Sequence, residues 1–276
     1  MVSPAHEFIR NSKGEPYHLF VGTPAHDNRF HSMFSMSLIR LVGSNKMKIT
    51  TSKVSSGGIH KARLNLASDF KKSGADGMLM IDSDLSFEPQ HVFQLVQRNL
   101  PIVCGLYCHK KELLEWCARG IDGVVVDPKT GLQRVSAAGT GFMFISKEVF
   151  TQMDAKIEEL EGKVGRLRYI EDWNEGTGTE KVDYFIERVI TEPGYFDKPT
   201  LTSEDWGFCY LARQAGFEIM LDTTFFLRHW DGGRGYPEQA PDQMQPPKSQ
   251  TRGHANQPSA KVFDMMGNVV PESVNQ

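Results

Sequence analysis

Three groups of residues in this chain have types and spacings that could do chemistry. Asp82-Ser83-Asp84 follows directly on the apolar run Met78 to Ile81, so two carboxylates spaced i and i+2 stand at the end of a buried strand. In an open α/β sheet that edge faces the ligand crevice. Two such charges about 5 Å apart repel by roughly 3 kcal/mol at an effective dielectric of about 20, which favours a shared proton or a bound cation. A hard divalent ion held by one or two carboxylates and completed by substrate phosphates meets that need. Taken alone, the motif is equally a capped strand end with two solvated acids. The second group, Ser203-Glu204-Asp205, opens a helix. Acids there stabilise a helix by about 0.3 to 1 kcal/mol without any catalysis, and one of the two could also act as a base. The third is His229, between an apolar strand and the polar turn Trp230-Asp231-Gly232-Gly233, where an imidazole is either structural or a ligand.

Periodicity outlines the elements that must position these groups. His18 to Gly22 reads as a short buried strand that runs into Thr23-Pro24-Ala25, a break of the kind that carries ligand loops. Phe30, Phe34, Leu38 and Leu41, then Ala62, Leu66 and Phe70, recur at helical spacing. Met78 to Ile81 is a continuous apolar run, as a central parallel strand covered on both faces requires. Pro89 opens a helix with Val92, Leu95 and Val96 facing inward, and Ile102 to Gly105 reads as the next strand. Val124 to Val126 and Leu132 to Val135 read as a hairpin across a Pro-Gly turn, and Phe142 to Ile145 as a buried strand. Between Thr151 and Pro199 the pattern weakens: charged helical stretches alternate with Gly-rich polar segments such as Asn174 to Gly178, which predicts loops over the site. Glu204 to Ala215 is a helix with Ser203 as N-cap and Gly216 as its stop, and strands near Ile219 to Leu221 and Phe225 to Leu227 close the domain.

The expectation is an α/β chain: a single domain over residues 1–231 with a central, mostly parallel sheet flanked by helices, followed by a flexible tail over 232–276. That tail is rich in Pro, Gln, Gly and Ser, a composition that buries too little apolar surface to order itself. Its apolar cluster Val262, Phe263, Met265 and Met266 could return over the site or join a homodimer.

Bulk properties narrow the function. With 276 residues, 31 Lys+Arg against 34 Asp+Glu and a formal charge of −3, there is no basic excess to select nucleic acid or anionic lipid. No stretch reads as a signal peptide or approaches the roughly 20 apolar residues of a membrane span, so the expected setting is the cytoplasm of the producing or host cell. Cys104, Cys108, Cys117 and Cys209 lack the CxxC pairing of a zinc site and read as reduced thiols.

Several segments, taken in order, carry a resemblance. Ile59 to Ala67, Met78 to Phe87 (MLMIDSDLSF), Pro101 to Lys111 (PIVCGLYCHKK), Ala138 to Ile145 (AGTGFMFI), the Ser203-Glu204-Asp205 helix start and His229 are similar in order and spacing to the core of GT-A glycosyltransferases. The resemblance spans roughly Leu19 to Trp230 and is closest to short bacterial, phage and large-DNA-virus enzymes. It implies a GT-A (Rossmann-like) fold that transfers a sugar from a nucleotide diphosphate donor, a UDP-sugar by family association, to a hydroxyl of a glycan acceptor.

Carried over by resemblance, Thr23, Pro24, Ala25 and Asp27 hold the base and ribose, though each also fits an ordinary strand-to-helix turn. Arg63 anchors a neighbouring acid or a phosphate, or else forms a surface salt bridge. Asp84 is the principal metal ligand, Asp82 reaches the ribose or the metal through water, Ser83 lies between them, and His229 completes the metal shell. Oxygen ligands with one nitrogen suit Mn²⁺ better than Ca²⁺, so Mn²⁺ or Mg²⁺ is the expected cofactor. Lys110 and Lys111 could offset diphosphate charge or form a solvated pair. The resemblance implies that Asp205 or Glu204 activates the acceptor with inversion. Trp206 would stack on an acceptor sugar or join the core, and Gly139-Thr140-Gly141 would admit a ligand close to the backbone or simply turn the chain. Two other functions fit parts of the pattern. A haloacid-dehalogenase-like phosphatase would use Asp82 as nucleophile and Asp84 as acid, with Ser86 nearby, but no downstream Lys with paired acids follows. A non-catalytic sugar-nucleotide-binding protein is the other.

Overall fold

The computed structural model describes residues 8–25, 29–55, 58–111, 114–171 and 178–237; Asp27, residues 174–177 and the tail residues Val262, Phe263, Met265 and Met266 lie outside the described residues. The chain opens with β1 (His18–Pro24), α1 (Ser32–Gly43), β2 (Lys48–Val54), α2 (Ile59–Ser73), β3 (Gly77–Ile81) and the short β4 (Leu85–Ser86). There follow α3 (Pro89–Gln97), β5 (Ile102–Leu106), β6 (Ala118–Gly120), β7 (Leu132–Ala138) and β8 (Phe142–Ser146). Next come α4 (Lys147–Ala155), α5 (Ile157–Val164) and two hairpins, β9 (Arg168–Glu171) with β10 (Thr179–Val182) and β11 (Val189–Glu192) with β12 (Phe196–Leu201). The last elements are α6 (Glu204–Gln214), β13 (Ile219–Phe226), β14 (Arg228–Asp231) and β15 (Arg234–Tyr236).

Eight strands form the central sheet in the order β2-β1-β3-β8-β5-β13-β7-β6. Six of them share one direction, and β8 and β7 run against it. The sheet is therefore mostly parallel, although β3 has a parallel neighbour only in β1 and an antiparallel one in β8. Successive side chains of a strand point to opposite faces, and the apolar runs divide accordingly. Phe20, Met78, Met80, Cys104, Met143 and Ile145 enter one core, with Leu66 and Phe70 of α2, Phe150 of α4 and Phe208 of α6. Leu19, Val21, Leu79, Ile81, Val103, Phe142 and Phe144 enter the other, with Phe34 of α1 and Val92 and Leu95 of α3. Strands covered on both faces favour apolar residues throughout, which is why β3 and β5 are continuous apolar runs and β1 is one from Leu19 to Gly22.

Five local expectations give way to tertiary context. Val124 to Val126 forms no strand and leaves Val125 78 % exposed; the partner of β7 is β6 instead. Ile219 to Phe226 is one strand rather than two. Phe30 precedes α1 and is exposed, so the inner face of that helix begins at Phe34. Between residues 151 and 199 the end of α4 and all of α5 match the expected charged helical stretches, but two hairpins stand where loops were expected, and residues 234–236, expected within the linker, pair with β14 as β15. Among the described residues no helix is long and apolar enough to cross a membrane, and the four cysteines are free thiols.

Candidate active site

The sheet positions the first acid pair. Asp82 leaves β3 with its N–H donating to the Gly141 carbonyl (2.9 Å), and its own carbonyl accepts from Leu85 N (3.2 Å), which turns the chain back into β4. There β14 pairs antiparallel with β4, setting His229 opposite Leu85, and Trp230 N donates to the Asp84 carbonyl at 2.8 Å. His229 therefore sits on its own short strand, zipped to the chain leaving the acid motif. Its Nε2 lies 3.2 Å from Asp84 Oδ1, and Lys110 Nζ bonds Asp84 Oδ2. Burial raises the Asp84 carboxyl, but the hydrogen bonds from His229 and Lys110 outweigh it and hold the group down at about 2. Lys111 pairs with Glu115 at 2.8 Å and does not reach the motif.

Asp82 and Asp84, expected to share a cation, have separate ones. Asp82 Oδ1 is 3.2 Å from the Arg63 guanidinium, which also binds Glu204. Arg63 is 4 % exposed, so it is a buried bridge between β3 and α6 and not the surface salt bridge the sequence allowed. Burial pulls its pKa down, yet Asp82, Asp205 and Glu204 reverse that and leave it raised. Burial likewise raises Glu204, against the pull of Arg63.

A cleft of about 370 Å³ opens between these elements, lined among others by Asp82, Tyr107, His229, Trp116, Arg119, Asp205 and Trp206. At the start of α6 the two acids diverge. Glu204 turns inward to Arg63, while Asp205 faces the cleft and accepts on Oδ1 from Ser203 Oγ and from Trp206 N (2.9 Å). Among the described residues no donor bonds its Oδ2. Ser203 has the extended backbone of an N-cap, but it makes no side-chain bond to the helix backbone because its hydroxyl goes to Asp205. Trp206 is half-buried at the cleft edge, its ring centroid 5.9 Å from that of Phe196.

Other sequence-derived residues fall elsewhere. Thr140 is fully buried and does not line the cleft, and its Oγ1 has no partner among the described residues. Gly141 is buried, and a Cβ there would lie 2.6 Å from Asp82 Oδ2 and from Tyr107 Oη. Gly141 thus makes room for Asp82 and Tyr107, and Gly139, where a Cβ would meet Tyr107 Oη, lines the cleft. Thr23, Pro24 and Ala25 end β1, buried beside β2, with Ala25 N on the Val54 carbonyl (3.0 Å); they do not line the cleft. Ser83 gives its carbonyl to His31 N at 2.9 Å. Residues the sequence reading passed over include Tyr107, whose hydroxyl accepts from Gly141 N (3.0 Å), and Trp116 and Arg119, which also line the cleft. Tyr107 directly follows the apolar run of β5, a position that could have drawn attention to it.

Whether the residues suit a divalent ion turns on His229. Its Nδ1 is 3.0 Å from the Cys108 carbonyl, a group that only accepts, so Nδ1 carries a proton and Nε2 is the nitrogen that meets Asp84. Nε2 and Asp84 Oδ1, 3.2 Å apart, can share either a proton or a metal ion. Adjacent donors in an octahedral shell with bonds of about 2.1 Å stand about 3 Å apart, so this pair fits as two ligands. Asp82 does not join them, and among the described residues no group of three or more His, Cys, Asp or Glu side chains converges as a ready ligand set. The remaining ligands would have to come from substrate and water.

No family model and no curated protein matches the chain. Among solved structures it is similar to A197 from STIV, at 15% identity over 78% of this chain and 86% of that one, with a TM-score of 0.42. A glycosyltransferase involved in the glycosylation of the major capsid of PBCV-1 is similar at 9% identity over 54% of this chain and 68% of that one, TM-score 0.31. S. aureus TarS 1-349 is similar at 11% identity over 76% of this chain and 59% of that one, TM-score 0.40.

Proposed function

We propose that this chain is a GT-A-type glycosyltransferase that moves a sugar from a nucleoside diphosphate donor, UDP the leading candidate, to an acceptor hydroxyl with inversion. The observation that carries this reading is the division of labour around one cleft: His229, which lines it and meets Asp84 through Nε2, and Asp205, which lines it with a carboxylate oxygen that no donor among the described residues bonds. In-line displacement needs a base for the attacking hydroxyl and positive charge for the departing diphosphate, on opposite faces of the sugar.

Asp205 accepts the proton of the hydroxyl at Oδ2 while Ser203 and the Trp206 N–H hold Oδ1 and fix the plane of the carboxylate. Lys110, already on Asp84, adds positive charge where the leaving group's oxygens gather. Asp84 and His229 would hold a divalent ion, Mn²⁺ or Mg²⁺, which when bound supplies charge neutralisation to the diphosphate. Arg63 keeps Asp82 and Glu204 in place by binding both.

The phosphatase reading asks Asp82 to attack phosphorus, but that carboxylate is engaged by Arg63, and Ser86 accepts a hydrogen bond from Trp230 Nε1 at 2.8 Å. Incubation with a panel of nucleotide sugars and Mn²⁺, reading free nucleoside diphosphate, tests the proposal. Release should follow one donor and disappear, with Mn²⁺-dependent UDP binding, in Asp84→Asn. Inorganic phosphate released from unrelated esters, or full activity in EDTA, would refute it.

A further inference from the structure

Two charged groups that line the cleft have no ion-pair partner among the described residues. One is Asp205. The other is Arg119 of β6, half-buried in the wall, whose guanidinium lies 4.8 Å over the Phe196 ring and makes no side-chain hydrogen bond or ion pair among the described residues. Neighbouring arginines differ in this respect. Arg213 lies over the same ring at 5.9 Å but is bound to Glu192 at 2.5 Å, and Arg63 has Asp82 and Glu204.

A guanidinium partly withdrawn from water without an acceptor carries a desolvation cost that an incoming anion offsets. Its planar fork matches a carboxylate or phosphate, and stacking on an aromatic ring leaves the N–H edges available. Phe196 also packs against Trp206, centroids 5.9 Å apart, which fixes Arg119 relative to the first turn of α6, where Asp205 begins. No ion pair joins Arg119 to Asp205. A single ligand that satisfies both must offer a hydroxyl to one and an anion to the other.

We infer that Arg119 anchors an anionic group of the acceptor, and that the acceptor is a sugar or polyol carrying a carboxylate or phosphate near the hydroxyl that faces Asp205. The inference rests on the glycosyltransferase reading and narrows its substrate class. The donor's own diphosphate belongs at Asp84 and Lys110, and Asp84 does not line the cleft.

Calorimetric titration of the full chain, saturated with UDP and Mn²⁺, with glucose 6-phosphate, glucuronate and glucose tests it. The two acids should bind at least tenfold tighter than glucose, Arg119→Gln should erase that margin, and Arg119→Lys should keep part of it, with UDP affinity and melting temperature unchanged. Equal binding of acids and glucose, or no binding of any, overturns it. So does a loss in Arg119→Gln that appears for UDP-glucuronate against UDP-glucose while acceptor discrimination stays, since the anion would then belong to the donor. If the wild-type chain fails to bind UDP, the enzymatic reading falls by itself, and the same three titrations without nucleotide still judge Arg119.

Discussion

The acids at the end of β3 and those at the start of α6 make an instructive comparison, because both are adjacent or near-adjacent pairs and both are split by the same residue. Arg63 takes Asp82 from the first pair and Glu204 from the second. What it leaves differs. Asp84 is held by His229 and Lys110, whose hydrogen bonds keep its carboxyl at about 2, whereas Asp205 accepts, among the described residues, only from a hydroxyl and a backbone N–H. A carboxylate held down in this way is built to stay charged and hold positive partners. One that receives only neutral donors is better suited to take a proton and give it up. The difference therefore assigns roles that the bare sequence of acids does not.

The sharpest way to break that comparison lies within the second pair. Asp205→Asn should lower kcat by about 10² to 10⁴, the usual effect of removing a positioned base, with UDP affinity nearly unchanged. Glu204→Gln should keep kcat within about tenfold, because its partner is Arg63 and not the substrate. Steady-state kinetics and UDP titration on both variants decide the matter. If Glu204→Gln is inactive and Asp205→Asn is not, the roles are exchanged, and a product with the donor's anomeric configuration by NMR removes the inverting mechanism.

Arg63→Met comes next. It leaves two carboxylates in a cleft wall without their shared cation, and breaking a buried ion pair from one side costs about 3 to 5 kcal/mol. Urea denaturation should show a loss of that order. The double variant Arg63→Met with Glu204→Leu should recover part of it, since replacing both partners by apolar groups removes the orphaned charge. A loss below about 1 kcal/mol in Arg63→Met would mean that the two acid pairs are not coupled through this residue.

The first pair was legible in the sequence because β3 is buried on both faces, so an apolar run ending in charge marks a sheet edge without further information. Helix α6 was legible for a similar reason, with acids before its apolar positions and Gly216 after it at a φ of 101°. The partners were not. Strand β14, RHWD, has no apolar run because β4 and β15 flank it in a small separate sheet, and β6 is three residues long. Edge strand β2, KITTSKV, hides its pairing for the same reason: at no position is it fully buried. Arg63 sits on α2 among charged and apolar neighbours alike, and only the fold shows that its face is inward. Which acid of each pair is held and which is left to a ligand depends on contacts across 19 and 141 residues of sequence, beyond any local pattern.

The smallest expected effect concerns Ser203, and it sharpens the second pair most finely. A serine at an N-cap ordinarily accepts from the helix backbone, and its loss to alanine costs about 1 kcal/mol of stability. Here the hydroxyl donates to Asp205 instead, and Trp206 N is satisfied by Asp205 Oδ1, not by the serine. Ser203→Ala should therefore cost less stability than a cap normally does, about 0.5 kcal/mol or below. Its effect should appear in catalysis, because Asp205 loses one of the two donors that set the plane of its carboxylate. A loss of orientation without loss of the base predicts a kcat decrease of about two- to tenfold with unchanged UDP affinity, far short of Asp205→Asn. Thermal denaturation together with kcat separates the possibilities: a full capping loss with wild-type kcat would mean that the serine serves the helix alone. In the double variant Ser203→Ala with Asp205→Asn, the serine should add nothing to the rate defect, because the hydroxyl acts on the reaction only through the carboxylate it positions.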